Sequence, residues 1–124
     1  MKKRNIVIEI EEGPTIEDKE IEMVERKGLG HPDTLCDLCS ETASQALSLY
    51  YLKNFKTIFH HNLDKGLLIA GESQPKFGGG KVLKPIKIIV GGRATDKVEN
   101  KEIPVKEIVK NAISKKLLKI VRCS

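Results

Sequence analysis

From Glu25 to Asp37 the chain reads Glu25-Arg26-Lys27-Gly28-Leu29-Gly30-His31-Pro32-Asp33-Thr34-Leu35-Cys36-Asp37, which gathers ionisable side chains where a helix is expected to start. Pro32 suits the first turn of a helix, where its missing N–H is no loss. The amides of a first turn point outward and carry partial positive charge, so they attract an anion, and Arg26, Lys27 and His31 add donors around it. Phosphate is the ligand such a set suits. Asp33 is a hard oxygen ligand, and Asp37 falls one turn further along the same face. Magnesium carried on a polyphosphate needs few protein carboxylates, because phosphate oxygens and water fill the rest of its shell. The same residues also have a plainer reading, in which first-turn carboxylates serve the helix dipole and a histidine before proline caps a loop. Spacing alone leaves both open.

The elements that must position these groups follow from periodicity. Asn5 to Ile10 and Ile21 to Glu25 have strand-like content, separated by the turn signal Gly13-Pro14. A helix is expected from Pro32 to about Leu52, with an apolar face of Leu35, Cys39, Ala43, Ala46 and Tyr50, and with Ser40, Glu41, Ser44 and Ser48 outside it. Thr57 to His60 and Gly66 to Ala70 then read as a hairpin around Asn62 to Lys65. Glu72 to Lys84, with Gly78-Gly79-Gly80, reads as a long mobile loop that could cover a site. A strand follows Pro85, with Ile86, Ile88 and Val90 facing one way, and it stops at Gly91-Gly92. From Pro104 the helical period returns through Val105, Ile108, Val109, Ala112, Ile113, Leu117, Ile120 and Val121, with lysines opposite as a solvated face. The predicted architecture is α+β, a mixed or antiparallel sheet with two helices packed on one face, in a single domain over residues 1–124.

Composition narrows the partners. At 124 residues the chain is the size of one domain, and no apolar run approaches the roughly 20 residues a bilayer crossing needs, so no membrane association is expected. The net charge of +5 is spread among interleaved acids, and two Tyr and three Phe leave few rings for base stacking, which argues against nucleic acid. Three cysteines, Cys36, Cys39 and Cys123, behind a basic start that lacks a signal-like core, suggest free thiols in a reducing cytoplasm. Cys36 and Cys39 form C-x-x-C inside a helix, and a zinc set would need His60 and His61 folded against them. On a strand these histidines point to opposite faces, one toward the core and one toward the site.

A second pattern lies at Gly71, Pro75-Lys76-Phe77-Gly78-Gly79-Gly80 and Pro85, followed by Gly92-Arg93-Ala94-Thr95. The run Gly30-His31-Pro32-Asp33 resembles the signature of S-adenosylmethionine synthetases. Both the longer run from Glu25 and the second pattern are similar to the archaeal type, so the chain resembles its N-terminal portion. The resemblance implies transfer of adenosyl from ATP to methionine, with the triphosphate then cleaved to pyrophosphate and phosphate. It implies that His31 is the catalytic contact to triphosphate and Asp33 a magnesium ligand. Glu25, Lys27, Gly30, Glu72, Gly78, Gly79 and Gly80 are implied to line the substrate and cofactor site. Glu72 would meet the methionine ammonium, although archaeal members often carry histidine there. Mg2+ is the implied cofactor with K+ as a further cation, and the implied assembly is a homodimer or larger, cytoplasmic, with sites between subunits. Family members are longer, and their later motifs have no counterpart after Thr95. Two readings follow: part of a methionine adenosyltransferase, with this stretch alone inactive, or a non-catalytic assembly or regulatory module derived from one.

Overall fold

Two helices cover one face of a two-stranded antiparallel sheet in the computed structural model, which describes residues 6–121. Helix α1 runs Pro32–Phe55 and α2 runs Val105–Leu117. Strands β1 (His61–Ile69) and β4 (Lys87–Ala94) form the central pair, and between them the chain makes a separate hairpin, β2 (Glu72–Lys76) with β3 (Gly79–Lys84). A short pair, β5 (Lys97–Val98) and β6 (Lys101–Glu102), leads into α2. The α+β class and the two helices on one face are as the periodicity indicated.

Helix α1 starts because His31 caps it and Pro32 occupies its first turn, and it ends at Lys56, whose left-handed backbone (φ 64°) sends its N–H to Leu52 O. Its buried residues are Leu35, Cys39, Ala43, Leu47 and Tyr51. Ala46 and Tyr50, expected on this face, are only half-buried. The stripe keeps a strict step of four because α1 presents an i, i+4 ridge, which winds around the axis instead of running straight along it. Helix α2 packs antiparallel to it. Ile113 meets Cys39 and Ala43, while Ile103, just before α2, meets Leu47 and Tyr51.

The central sheet feeds this core through alternate residues. Leu68 and Ile88 are paired and half-buried toward the helices, and Gly66 lies against Cys36. Leu67, Ile69 and Ile89 on the opposite face are 56%, 41% and 48% exposed, so one side of the sheet is uncovered among the described residues.

Three expectations are corrected. Ile6 to Ile10 and Ile21 to Glu25 form no strand, and Asn5 lies outside the described residues. A strand exists only through its ladder, and here Ile8 and Ile10 stand 91% and 93% exposed with no neighbour to pair with among the described residues. Only a single turn at Ile16–Asp18, capped by Thr15, interrupts this segment. The expected hairpin around Asn62 to Lys65 is instead the single strand β1, and Thr57 to His60, expected as its first arm, lie ahead of it in no strand. Asn62 faces Arg93 and Lys65 faces Gly91, so one extra residue is taken up as a bulge opposite Gly92. At Gly92 the backbone has φ 151°, and a Cβ would overlap Asn62 O and Leu63 Cα. Finally, Glu72–Lys84 is a paired hairpin instead of a loop. Phe77-Gly78 makes its turn, with Gly78 at φ 76° as the third position of a type II turn requires.

Candidate functional site

The N-terminus of α1 brings three of the candidate residues together. His31 N–H bonds to Gly28 O at 3.0 Å, closing a turn over Leu29 and Gly30 that sets His31 at the cap position. The Asp33 N–H then donates to His31 Nδ1 at 3.2 Å. An Nδ1 that accepts carries no hydrogen, so the neutral ring bears its hydrogen on Nε2, which becomes a donor for a ligand. Lys27 Nζ donates to Asp33 Oδ2 at 2.6 Å, and Asp33 Oδ2 is also 3.9 Å from His31 Nδ1. The Lys27 hydrogen bond and its charge hold the Asp33 carboxyl below the usual carboxylate range, and the same bond and charge raise the Lys27 ammonium. All three side chains remain accessible, at 46% for Lys27, 42% for His31 and 60% for Asp33.

These bonds thin the expected backbone anion site. Pro32 has no N–H, the Asp33 N–H is taken by His31, and the Leu35 N–H bonds to His31 O. Thr34 N–H is the first-turn amide left without a protein partner among the described residues. Thr34 N–H and His31 Nε2–H are therefore the donors left for an anion at the first turn, and the Lys27 ammonium serves one only by leaving or sharing Asp33. The capping role that spacing left open belongs to His31, and a ligand-binding role remains open to its far nitrogen.

Of the other candidates, Gly30 belongs to the Gly28–His31 turn and the rest lie elsewhere. Glu25 and Gly30 are exposed on the approach to α1. Asp37 is exposed one turn along and lines a separate polar cleft of about 340 Å3 with Ser40, Glu41, Ser44, His61 and Asp64. Glu72, exposed at the start of β2, lines an apolar groove of about 500 Å3 with Ile86, Leu117 and Val121, and that groove includes neither His31 nor Asp33. Gly78 turns the β2–β3 hairpin, and Gly79 and Gly80 start β3.

The sequence did not reveal the bonding of His61. Its Nδ1 lies 2.9 Å from Phe59 O, which fixes the hydrogen there, so Nε2 accepts from Ser44 Oγ at 3.0 Å and Ser48 Oγ at 3.4 Å. The step of four through Ser40, Ser44 and Ser48 was the available signal. This network ties β1 to the middle of α1. The cysteines serve packing: Cys39 is in the core, where burial pushes its thiol up, and Cys36 lies under Gly66. Cys123 lies outside the described residues.

A family model for S-adenosylmethionine synthetase (AdoMet synthetase) matches residues 4–123. The chain belongs to that family. It is 50% identical over 115 residues to the S-adenosylmethionine synthase of Hyperthermus butylicus, covering 89% of this chain and 28% of that protein. Against the S-adenosylmethionine synthase of Sulfurisphaera tokodaii the identity is 52% over 110 residues, or 86% of this chain and 27% of the relative. The synthase of Haloarcula marismortui is 48% identical over 112 residues, 90% and 28% of the two chains. The chain thus spans between a quarter and a third of the length of these synthetases. No helix among the described residues is long and apolar enough to cross a membrane.

Magnesium, which the synthetase resemblance implies, can be tested against the donors present. No three His, Cys, Asp or Glu side chains stand together as a metal cage among the described residues. Asp33 is one accessible carboxylate beside anion donors, which fits Mg2+ held on a polyphosphate, where one or two carboxylates suffice.

Proposed function

We propose that this chain supplies the phosphate-facing part of a methionine adenosyltransferase site, where ATP and methionine give S-adenosylmethionine, phosphate and pyrophosphate. One observation carries the reading: within a run matching the synthetase signature, His31 is fixed by the Asp33 N–H so that its hydrogen sits on Nε2, beside an accessible carboxylate and an ammonium. Methionine sulfur is already nucleophilic. It forms its bond to C5′ of the ribose as the C5′–O bond to triphosphate breaks, so the protein must position reactants and stabilise the departing anion more than it must supply a base. His31 Nε2–H donates to that anion. A hydrogen bond to a charged group formed mainly in the transition state accelerates the step by about tenfold to a hundredfold. Bound Mg2+ supplies charge neutralisation on the phosphate oxygens, and Asp33 is the residue that would hold it.

Methionine is assigned to the side of Glu72, whose carboxylate suits an ammonium. Assembly through the uncovered face of Leu67, Ile69 and Ile89 would supply the rest of the site, as a dimer or larger. The test is complementation. Supplied with the remaining portion of the Hyperthermus butylicus synthase, the chain should make S-adenosylmethionine, and His31→Ala should lower turnover by about tenfold or more. An assembly that forms and binds ATP yet makes no product would overturn the assignment in favour of a non-catalytic module.

A further inference from the structure

Lys27 and Asp33, each suited to one half of a magnesium polyphosphate, are engaged with each other. The ammonium, 2.6 Å from Asp33 Oδ2, competes with a metal ion for that oxygen and opposes it by charge, and the hydrogen it gives Asp33 is one it does not give phosphate. Neither group is locked in place. The pair is exposed on both sides, Lys27 sits ahead of the Gly28–His31 turn and outside the helix, and Asp33 is its one ion-pair partner among the described residues. Exposed pairs of this kind open at little cost.

We propose that Lys27 is an exchangeable counter-ion, covering Asp33 in the ligand-free protein and passing to a phosphate oxygen as Mg2+ takes its place on the carboxylate. The inference rests on the polyphosphate reading above and deepens it. Each group keeps an oppositely charged partner throughout, because Asp33 passes from an ammonium to Mg2+ and Lys27 from a carboxylate to a phosphate oxygen. Coupling follows. Mg2+ alone must displace Lys27, and polyphosphate alone must draw Lys27 from Asp33, but each ligand, once bound, frees the group the other needs.

Titration calorimetry on the whole chain tests this with three probes: Mg2+, inorganic tripolyphosphate, and the two together. Lys27→Met should bind Mg2+ alone about two- to fivefold more tightly than wild type, and the magnesium complex about tenfold more weakly. Asp33→Asn should bind metal-free tripolyphosphate about two- to fivefold more tightly, because Lys27 is released. If wild type binds the complex but neither variant gains affinity for its single probe, the exchange is wrong and the phosphate site stands. If wild type binds none of the three probes, both fall.

Discussion

Tyr51, in the last turns of α1, donates its hydroxyl hydrogen to Thr95 O at 2.7 Å, which ties the helix to the segment leaving β4. The ring is fully buried and meets Phe59 edge-on at a centroid distance of 5.6 Å. Tyr51→Phe keeps the packing and removes the bond, so it should lower stability by about 1 kcal/mol. Tyr51→Ala empties the site and should cost about 3–5 kcal/mol. Urea unfolding of the three proteins checks the order, and a Phe variant as unstable as the Ala variant would show that the bond, not the packing, dominates.

His31 carries two jobs on two nitrogens, and a pair of substitutions separates them. His31→Asn retains an oxygen able to cap the Asp33 N–H but has no counterpart of Nε2, so thermal stability should stay near wild type while tripolyphosphate binding weakens. His31→Ala should weaken binding and also lower stability by about 1 kcal/mol through loss of the cap. Equal binding by the Asn variant and wild type would leave His31 a cap and nothing more.

The Asp33–Lys27 pair has a defined pH window. The Asp33 carboxyl is lowered by Lys27, so the pair contributes above the ordinary carboxylate range and is lost as pH falls through the lowered value. Lys27 is raised by Asp33, so at the alkaline end the contribution is lost as pH rises through the raised lysine value. A carbon-detected NMR titration of the Asp33 carboxyl should show its midpoint move up toward the ordinary range in Lys27→Met, and high salt should move wild type the same way.

Gly92 tests the bulge. Gly92→Ala places a Cβ on Asn62 O at a left-handed φ, and should destabilise the chain by more than about 1 kcal/mol. Gly79→Ala, where a Cβ meets nothing within 4 Å, is the control and should stay within about 0.5 kcal/mol of wild type. Similar losses in both would place the cost in strand glycines generally.

Helices α1 and α2 were legible because each carries its own period, and the first turn of α1 announces itself through Pro32 and the acids around it. The strands were less so. Ile6 to Ile10 has strand composition but nothing to pair with among the described residues, and composition does not supply a partner. Conversely, Glu72–Lys84 looked like a loop because glycine and proline are frequent there, while its state is decided by a two-residue turn that lets Lys76 face Gly79. The bulge at Asn62 to Lys65 depends on Gly92, thirty residues away from Asn62 in the chain. That His31 and Asp33 stand together at the start of α1 was readable from their order. The Lys27–Asp33 pair was not, because it spans a turn that no helical or strand period describes.

The β2–β3 hairpin leaves and re-enters the fold at one place: a Cβ on Gly71 would overlap Lys84 O and approach Pro85, so its two ends touch. Strands β1 and β4 are therefore joined as closely as a short turn would join them, and the ladder between them does not register what lies beyond Gly71 and Pro85. Such a junction is a socket. What the central sheet holds is the two ends of the insert and not its length, so the exposed tip at Phe77-Gly78 can change at little cost to the ladder.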